Sequence, residues 1–115
     1  MTRINEDELE SEPYGAVLYA GVRFTGEAED RYADGTLLSS ISYVNGLQDG
    51  PEREWYHDGT LKEEGNFHQG MPIGLHQMWD SDGKLMRQTE FTDDGRVISR
   101  RGFDAEGQVT WQDAG

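Results

Sequence analysis

The chain has 115 residues, of which 23 are acidic and 10 basic, so its formal charge at pH 7 is −13. This length suits one ordinary domain, and this charge disfavours direct binding to nucleic acid or to an anionic membrane surface. There is no cysteine for a disulfide or a thiolate site, and neither a spanning apolar run nor a secretory signal, so we expect a cytoplasmic protein.

The first segment, residues 1–13, is strongly acidic, because five of the seven residues 6–12 are Asp or Glu. A charge run of this kind favours a solvated, disordered arm. An arm that docks on a basic partner is the functional alternative. The rest of the chain, 14–115, is then a single repeat domain. Its most apolar window, 14–24, predicts capping strands within a degenerate N-terminal cap at 14–31.

After this cap the sequence repeats with a period of 24 residues. The blocks are 32–55, 56–79 and 80–103, followed by a partial C-terminal repeat at 104–115. Corresponding columns hold Gly35, Gly59, Gly83 and Gly107; Leu37, Leu61, Leu85 and Val109; Tyr43, Phe67 and Phe91; and Trp55, Trp79 and Phe103. Self-similarity at such a period is typical of repeat architectures, in which each unit packs against its neighbours.

Each block predicts two strands. Alternation of apolar side chains after the Asp-Gly pair, as from Leu37 to Tyr43, is the period of a strand. The second strand of each block is expected at roughly 51–56, 75–80 and 99–104. The Asp-Gly pairs and Glu106-Gly107 are interpreted as tight primed or bulged turns. The connection 45–50, with two glycines, predicts a wider reversal.

These elements predict an all-β fold: an elongated antiparallel β-meander of stacked hairpins with period 24. Equivalent side chains would stand two strands apart and form ladders whose burial stabilises the fold. The expected ladders are Leu37–Leu61–Leu85, Tyr43–Phe67–Phe91 and Trp55–Trp79–Phe103. In the partial repeat, Val109 and Trp111 are spaced to cover the last strand edge.

The block Y-x-D-G-T-L-x7-G-x3-G-P/L-x3-W resembles the MORN-repeat variant, and its arrangement over a short acidic chain is similar to the bacterial YwqK-type antitoxins. The resemblance covers 32–103 and, more weakly, 14–31. It implies an immunity protein that binds a cognate toxin and blocks it. The third block departs from the pattern, because Ile98 stands where the other blocks have Gly50 and Gly74, and Gly95 comes one place late.

No catalytic or metal-binding constellation is evident. His57 falls in a turn, His68 in a connection and His76 in a strand, so we interpret them as exposed polar residues. The glycines are periodic turn residues and do not form a phosphate-binding loop. We therefore expect a protein that is not an enzyme and has no catalytic residue, no metal and no cofactor.

The acidic strand face of the first two blocks is the candidate partner-binding surface. Glu52 and Glu54 would share a face with Tyr56, opposite Arg53 and Trp55. The predicted partner-binding residues are Asp49, Glu52, Glu54, Tyr56, Asp58, Glu63 and Glu64. The alternative is a purely solubilising face. For the basic cluster Arg96, Arg100 and Arg101 we favour exposed ion pairs with Asp93, Asp94 and Asp104; the alternatives are the end of the partner's footprint or a self-association patch.

The function that these observations favour is an antitoxin or immunity protein that binds a basic toxin acting on nucleic acids or nucleotides. The alternative is a structural scaffold that self-associates weakly through open strand edges, although Asp113 and the acidic arm would oppose edge pairing. A lipid-associated module fits poorly with the charge of −13.

Overall fold

The computed structural model describes residues 2–13 and 15–114, so the arm, the cap and the partial repeat predicted above include three positions, Met1, Tyr14 and Gly115, that lie outside the described residues. The described residues form β1 (Arg3–Asn5), β2 (Leu9–Ser11), β3 (Val17–Tyr19), β4 (Val22–Arg23), β5 (Gly26–Arg31), β6 (Leu37–Val44), β7 (Leu47–Trp55), β8 (Leu61–His68), β9 (Met71–Trp79), β10 (Leu85–Phe91), β11 (Val97–Phe103) and β12 (Val109–Ala114). A 3-10 turn at Glu6–Glu8 joins the first two strands. Within this described part, no helix is long and apolar enough to cross a membrane.

In the described part of the chain, the main sheet has nine strands in the order β1-β5-β6-β7-β8-β9-β10-β11-β12. From β5 onward every strand pairs antiparallel with its neighbours in sequence, so the predicted all-β meander of successive hairpins is confirmed. The exception is β1, which pairs parallel with β5. A second sheet of three short strands has the order β2-β3-β4.

The Asp-Gly reversals are bulged loops that recur in every block. In the first, the Tyr32 N–H donates to the Thr36 carbonyl at 2.8 Å and the Gly35 N–H donates to the Tyr32 carbonyl at 2.9 Å. Gly35 has φ +89°, the left-handed conformation that such a loop requires. The same two hydrogen bonds close 56–60, 80–84, 92–96 and 104–108. In the third block, the connection between the two strands is also a loop of this type. Gly95 comes one place late in the sequence because it occupies the left-handed position of that loop.

The connection 45–50 is tighter than its two glycines suggested, and the prediction of a wide reversal was wrong. Val44 pairs with Leu47, so Asn45 and Gly46 alone make the turn. Their φ values of 49° and 83° are both positive, as in the primed two-residue turns of hairpins. Gly50 is not part of this turn. It lies inside β7 at the point where the register shifts, and its φ of 101° belongs to that irregularity of the strand.

A second irregularity recurs at the start of each block's first strand. Asp30 pairs with Ser39 but Arg31 pairs with Leu37, which leaves one extra residue between them. The same pattern occurs at the four other hairpins that have this loop type. The extra residues are Leu38, Lys62, Met86, Ile98 and Thr110, so the third block holds two of them. Each bulge changes which side chains share a face of the sheet.

The buried core lies at the N-terminal end of the sheet. It consists of Phe24, Ala28 and Tyr43, against which pack the partly buried Ile4, Leu9, Val17 and Ile41. The small sheet thus covers one face of β5 and β6. The acidic segment, for which the sequence favours a solvated arm, lies against this core because its two aliphatic residues, Ile4 and Leu9, anchor it.

The aromatic ladder from Tyr43 to Phe91 is interrupted. Across β7, Tyr43 opposes Gln48 whereas Phe67 opposes Gly50, so equivalent rings are displaced along the strands by two residues, about 7 Å. Tyr43 packs toward the core. Phe67 and Phe91 contact each other through His76, whose ring centroid lies 5.3 and 4.9 Å from theirs. His76, expected to be exposed, is therefore part of the packing.

Candidate protein-binding site

The two faces of the main sheet differ in charge. Side chains of directly opposite residues point to the same side of a sheet, so the cross-strand partners trace each face from β5 to β12. One face, which we call the groove face, carries the row Asp30, Ser39, Glu54, Glu63, Met78, Arg87, Gly102 and Trp111. The other, the reverse face, carries Glu29, Ser40, Arg53, Glu64, Gln77, Gln88, Arg101 and Gln112. The groove face changes from carboxylates to an arginine and an aromatic ring along the row.

Carboxylates gather in a groove at the start of this row, with a volume of about 240 Å³. The 3-10 turn brings Glu6 over β6, where the Glu6 Oε2 lies 3.4 Å from the Ser39 Oγ. Next to the covered core, Glu52 lies opposite Ile41. We call this feature the acidic groove and define it by Glu6, Asp30, Ser39, Ile41, Glu52 and Glu54.

The acids of this groove oppose one another's ionisation. Burial raises the pKa of Glu52 above its ordinary 4.5, and the nearby carboxylates of Glu63 and Glu54 raise it further. Burial also raises the pKa of Glu6, and Asp30 adds to the effect, while the hydrogen bond with Ser39 acts in the opposite direction. Lost hydration and like charges are the causes in both cases, so a cation placed here would be attracted.

Lys62 connects the acidic groove to Tyr56. The Lys62 Nζ lies 3.0 Å from the Glu54 Oε2 and 5.6 Å from the centroid of the Tyr56 ring, within the range of a cation–π contact. The hydrogen bond with Glu54, followed by the charge of Glu54, raises the pKa of Lys62. The Tyr56 hydroxyl donates to the Trp79 carbonyl at 2.8 Å, which holds the ring in place.

The structure brings together four of the seven predicted binding residues: Glu52, Glu54, Glu63 and, through Lys62, Tyr56. The other three lie elsewhere. Glu64 is on the reverse face, 2.8 Å from the Arg53 Nε. Asp49 is near the turn that follows β8, where its Oδ2 accepts the Gln69 N–H at 3.1 Å. Asp58 is in a loop, where it accepts a backbone N–H at 2.9 Å that lowers its pKa.

Sequence reasoning missed two carboxylates of the acidic groove, Glu6 and Asp30. A signal existed for Asp30, because it stands one full period before Glu54 and therefore occupies the same column. Glu6 lies outside the repeats, and only the pairing of β1 with β5 places it near Ser39. No periodicity could have located it.

The histidines lie apart and contact different partners. The His57 Nε2 is 2.6 Å from the Asp34 Oδ2, and the His68 Nδ1 is 3.2 Å from the Asp49 Oδ2. Across residues 2–13 and 15–114, His, Asp and Glu side chains form no group of three that could hold a metal ion. The first contact connects two neighbouring loops, and the second connects β7 with the end of β8.

The family described as "MORN repeat variant" matches residues 48–69, which include all of the β7–β8 hairpin except Leu47. These residues are therefore similar to a MORN repeat variant. No curated protein matches the chain. The MORN repeat supports a binding or scaffold module that acts through protein interactions.

The solved structures that are similar to the chain include the following three. The S. aureus TarM G117R mutant in complex with fondaparinux, alpha-GlcNAc-glycerol and UDP is 16% identical with a TM-score of 0.47, over 92% of this chain and 19% of that one. TarM is 15% identical with a TM-score of 0.47, over 79% and 18%. The GtfA/B complex bound to UDP and GlcNAc is 9% identical with a TM-score of 0.36, over 92% and 24%. The chain thus spans less than a quarter of each.

Proposed function

We propose that this chain is a non-enzymatic antitoxin or immunity protein that binds and neutralises a basic toxin acting on nucleic acids or nucleotides. The observation that carries the proposal is the acidic groove, where the pKa of Glu52 is raised by burial and by neighbouring carboxylates. The MORN repeat variant at residues 48–69 supports a protein-binding module. The resemblance to the YwqK-type antitoxins supports the neutralisation of a toxin.

A cationic cleft is the chemistry that matches this groove. Proteins that bind nucleic acids or nucleotides place Lys and Arg against phosphates, and a row of carboxylates can occupy the same positions. Within the described residues, Glu52 and Glu63 make no ion pair, whereas Glu54 is paired with Lys62. An incoming Lys or Arg would therefore gain two unpaired carboxylates, and the charge of the chain would accelerate the encounter by about 10- to 1,000-fold at low salt.

The protein encoded by the gene next to this one in the genome is the expected toxin. Co-expression of the chain with that protein tests the proposal. The wild-type chain should restore growth to cells that make that product, and the variant Glu52→Arg/Glu63→Arg should not. The matched control is Glu90→Arg/Glu106→Arg, which changes the charge equally at exposed positions outside the acidic groove and should still protect. Thermal unfolding establishes that each variant is folded. Protection by the Glu52→Arg/Glu63→Arg variant equal to that of the wild type would refute the proposal.

A scaffold is the second candidate, and the last strand favours it. Within the described residues β12 pairs with β11 alone, and its Val109 and Trp111 are exposed. Asp113, expected to oppose edge pairing, is neutralised by Arg100. Sedimentation velocity over a concentration series separates the candidates. Oligomers that grow with concentration and disappear in a Thr110→Pro variant, which removes an N–H from this edge strand, would favour the scaffold.

A further inference from the structure

On the groove face, one set of four residues recurs in each block, and the chemistry of its side chains differs from block to block. Each set, which we call a groove position, consists of the extra residue of a bulge, the residue that follows it, and the two residues opposite that following residue on the neighbouring strands. The first position holds Asp30, Leu38, Ser39 and Glu54; the middle one holds Glu54, Lys62, Glu63 and Met78; the third holds Met78, Met86, Arg87 and Gly102. The acidic groove includes the first position, and the third lies two repeats further along.

The third position is an apolar groove of about 210 Å³. Met78 and Met86 form one side, and the Trp111 ring forms the other. The ring lies against the backbone of Gly102, since any Cβ at that residue would overlap it. Met86 and Trp111 remain 40% and 43% exposed. Because the volume is below the roughly 300–1,000 Å³ of small-molecule sites, it suits one large side chain.

The guanidinium group of Arg87 lies at the edge of this apolar groove. The Arg87 Cζ lies 5.9 Å from the centroid of the Trp111 ring, as in a cation–π contact. In the described part of the chain, no carboxylate lies within ion-pair distance of Arg87. Arg87 can therefore pair with a carboxylate that an incoming segment supplies.

We infer that the apolar groove binds a segment of a partner protein in which a large apolar residue is followed by Asp or Glu. The apolar side chain would lie against Met78, Met86 and Trp111, and the carboxylate would pair with Arg87. The identity of the partner rests on the proposed function, whereas the chemistry of the groove does not. Two equivalent grooves four strands apart are separated by about 19 Å. The partner therefore presents cations at one point and this apolar–acidic pair about 19 Å away.

Three blocked tetrapeptides test the inference: acetyl-Gly-Phe-Asp-Gly-amide, the same peptide with Asn for Asp, and the same peptide with Ala for Phe. Binding is followed by NMR through the methionine methyl groups and the Trp111 indole. The Phe-Asp peptide should give saturable shifts at Met86 and Trp111 and bind at least three-fold more tightly than either analogue. Equal affinities, no saturation, or shifts at other residues would overturn the inference.

Two variants test separately the contact of the peptide's Asp with Arg87 and the contact of its Phe with the apolar groove. Arg87→Gln should abolish the preference for Asp over Asn while leaving the Phe contact, and Met86→Lys should weaken both Phe peptides. Leu75→Lys is the matched control, because Leu75 is a similarly exposed apolar residue on the reverse face, opposite Glu90. An effect of Leu75→Lys equal to that of Met86→Lys would contradict the assignment. The peptides need no toxin, so failure of growth protection refutes the proposed function without touching this result.

Discussion

At the scale of single residues, His76 depends on the glycine beneath its ring. A Cβ on Gly65 would overlap the imidazole, which stands between Phe67 and Phe91 and whose Nε2 lies 2.9 Å from the Asn66 carbonyl oxygen. The backbone of Gly65 is not in the left-handed region, so the demand is for space alone. Sequence columns did not reveal it, because Gly65 has no glycine equivalent in the other blocks.

Gly65→Ala is expected to lower the free energy of unfolding by about 1–3 kcal/mol, the usual cost of inserting a methyl group into a packed site. The measurement is urea denaturation. In the background of His76→Ala the same change should cost much less, because the overlapping ring is gone. Additive effects of the two substitutions would contradict this account of the packing.

Glu52 should make the stability depend on pH. Its pKa is higher in the folded protein than the ordinary 4.5, so the folded state binds more protons than the unfolded state between those two values. The free energy of unfolding therefore decreases as pH rises through that window. Glu52→Gln should raise stability at pH 7 and flatten the profile above pH 4.5.

Glu90→Gln is the matched control for this titration, since Glu90 is an exposed carboxylate on the reverse face. It should leave the slope of the profile above pH 4.5 close to that of the wild type. Equal flattening by both variants would show that general charge repulsion, and not the acidic groove, causes the slope.

At the scale of elements, the two-residue turns differ in how well their residues suit them. Asn45 and Gln69 occupy the same turn position and both have φ 49°. Asparagine tolerates this left-handed conformation and glutamine does so poorly. Gln69→Asn should therefore raise the free energy of unfolding by roughly 0.5 kcal/mol. Gln77→Asn in the extended strand β9 is the control and should be neutral or destabilising.

The sequence predicts the hairpins well because their turns need glycine at fixed places, and alternation identifies the strands between them. It does not predict the bulges, because an extra residue such as Lys62 leaves no compositional trace. Those bulges determine the faces: Glu54 and Glu63 share the groove face, whereas Glu64, which was grouped with them as a candidate, points to the reverse side. Contacts between the repeats and the acidic N-terminal segment, such as Glu6 with Ser39, lie beyond any periodic pattern.

At the scale of the whole molecule, stability is concentrated at one end. Phe24 is only 4% exposed within the core cluster, whereas Val109 on β12 is 49% exposed. Phe24→Ala should cost about 3–5 kcal/mol and Val109→Ala less than about 1 kcal/mol. Amide hydrogen exchange should be slowest in β5 and β6 and fastest in β12. Uniform protection along the sheet would contradict this distribution.

The central claim is that the carboxylates of the groove face bind a basic partner. Isothermal titration of the neighbouring gene's product with Glu52→Arg and with Glu64→Arg tests it, because these residues lie on opposite faces. We predict that Glu52→Arg weakens binding at least ten-fold at low salt, that Glu64→Arg changes it less than three-fold, and that the wild-type affinity falls between about 50 mM and about 500 mM salt. Equal losses for the two variants, or an affinity independent of salt, would contradict the claim.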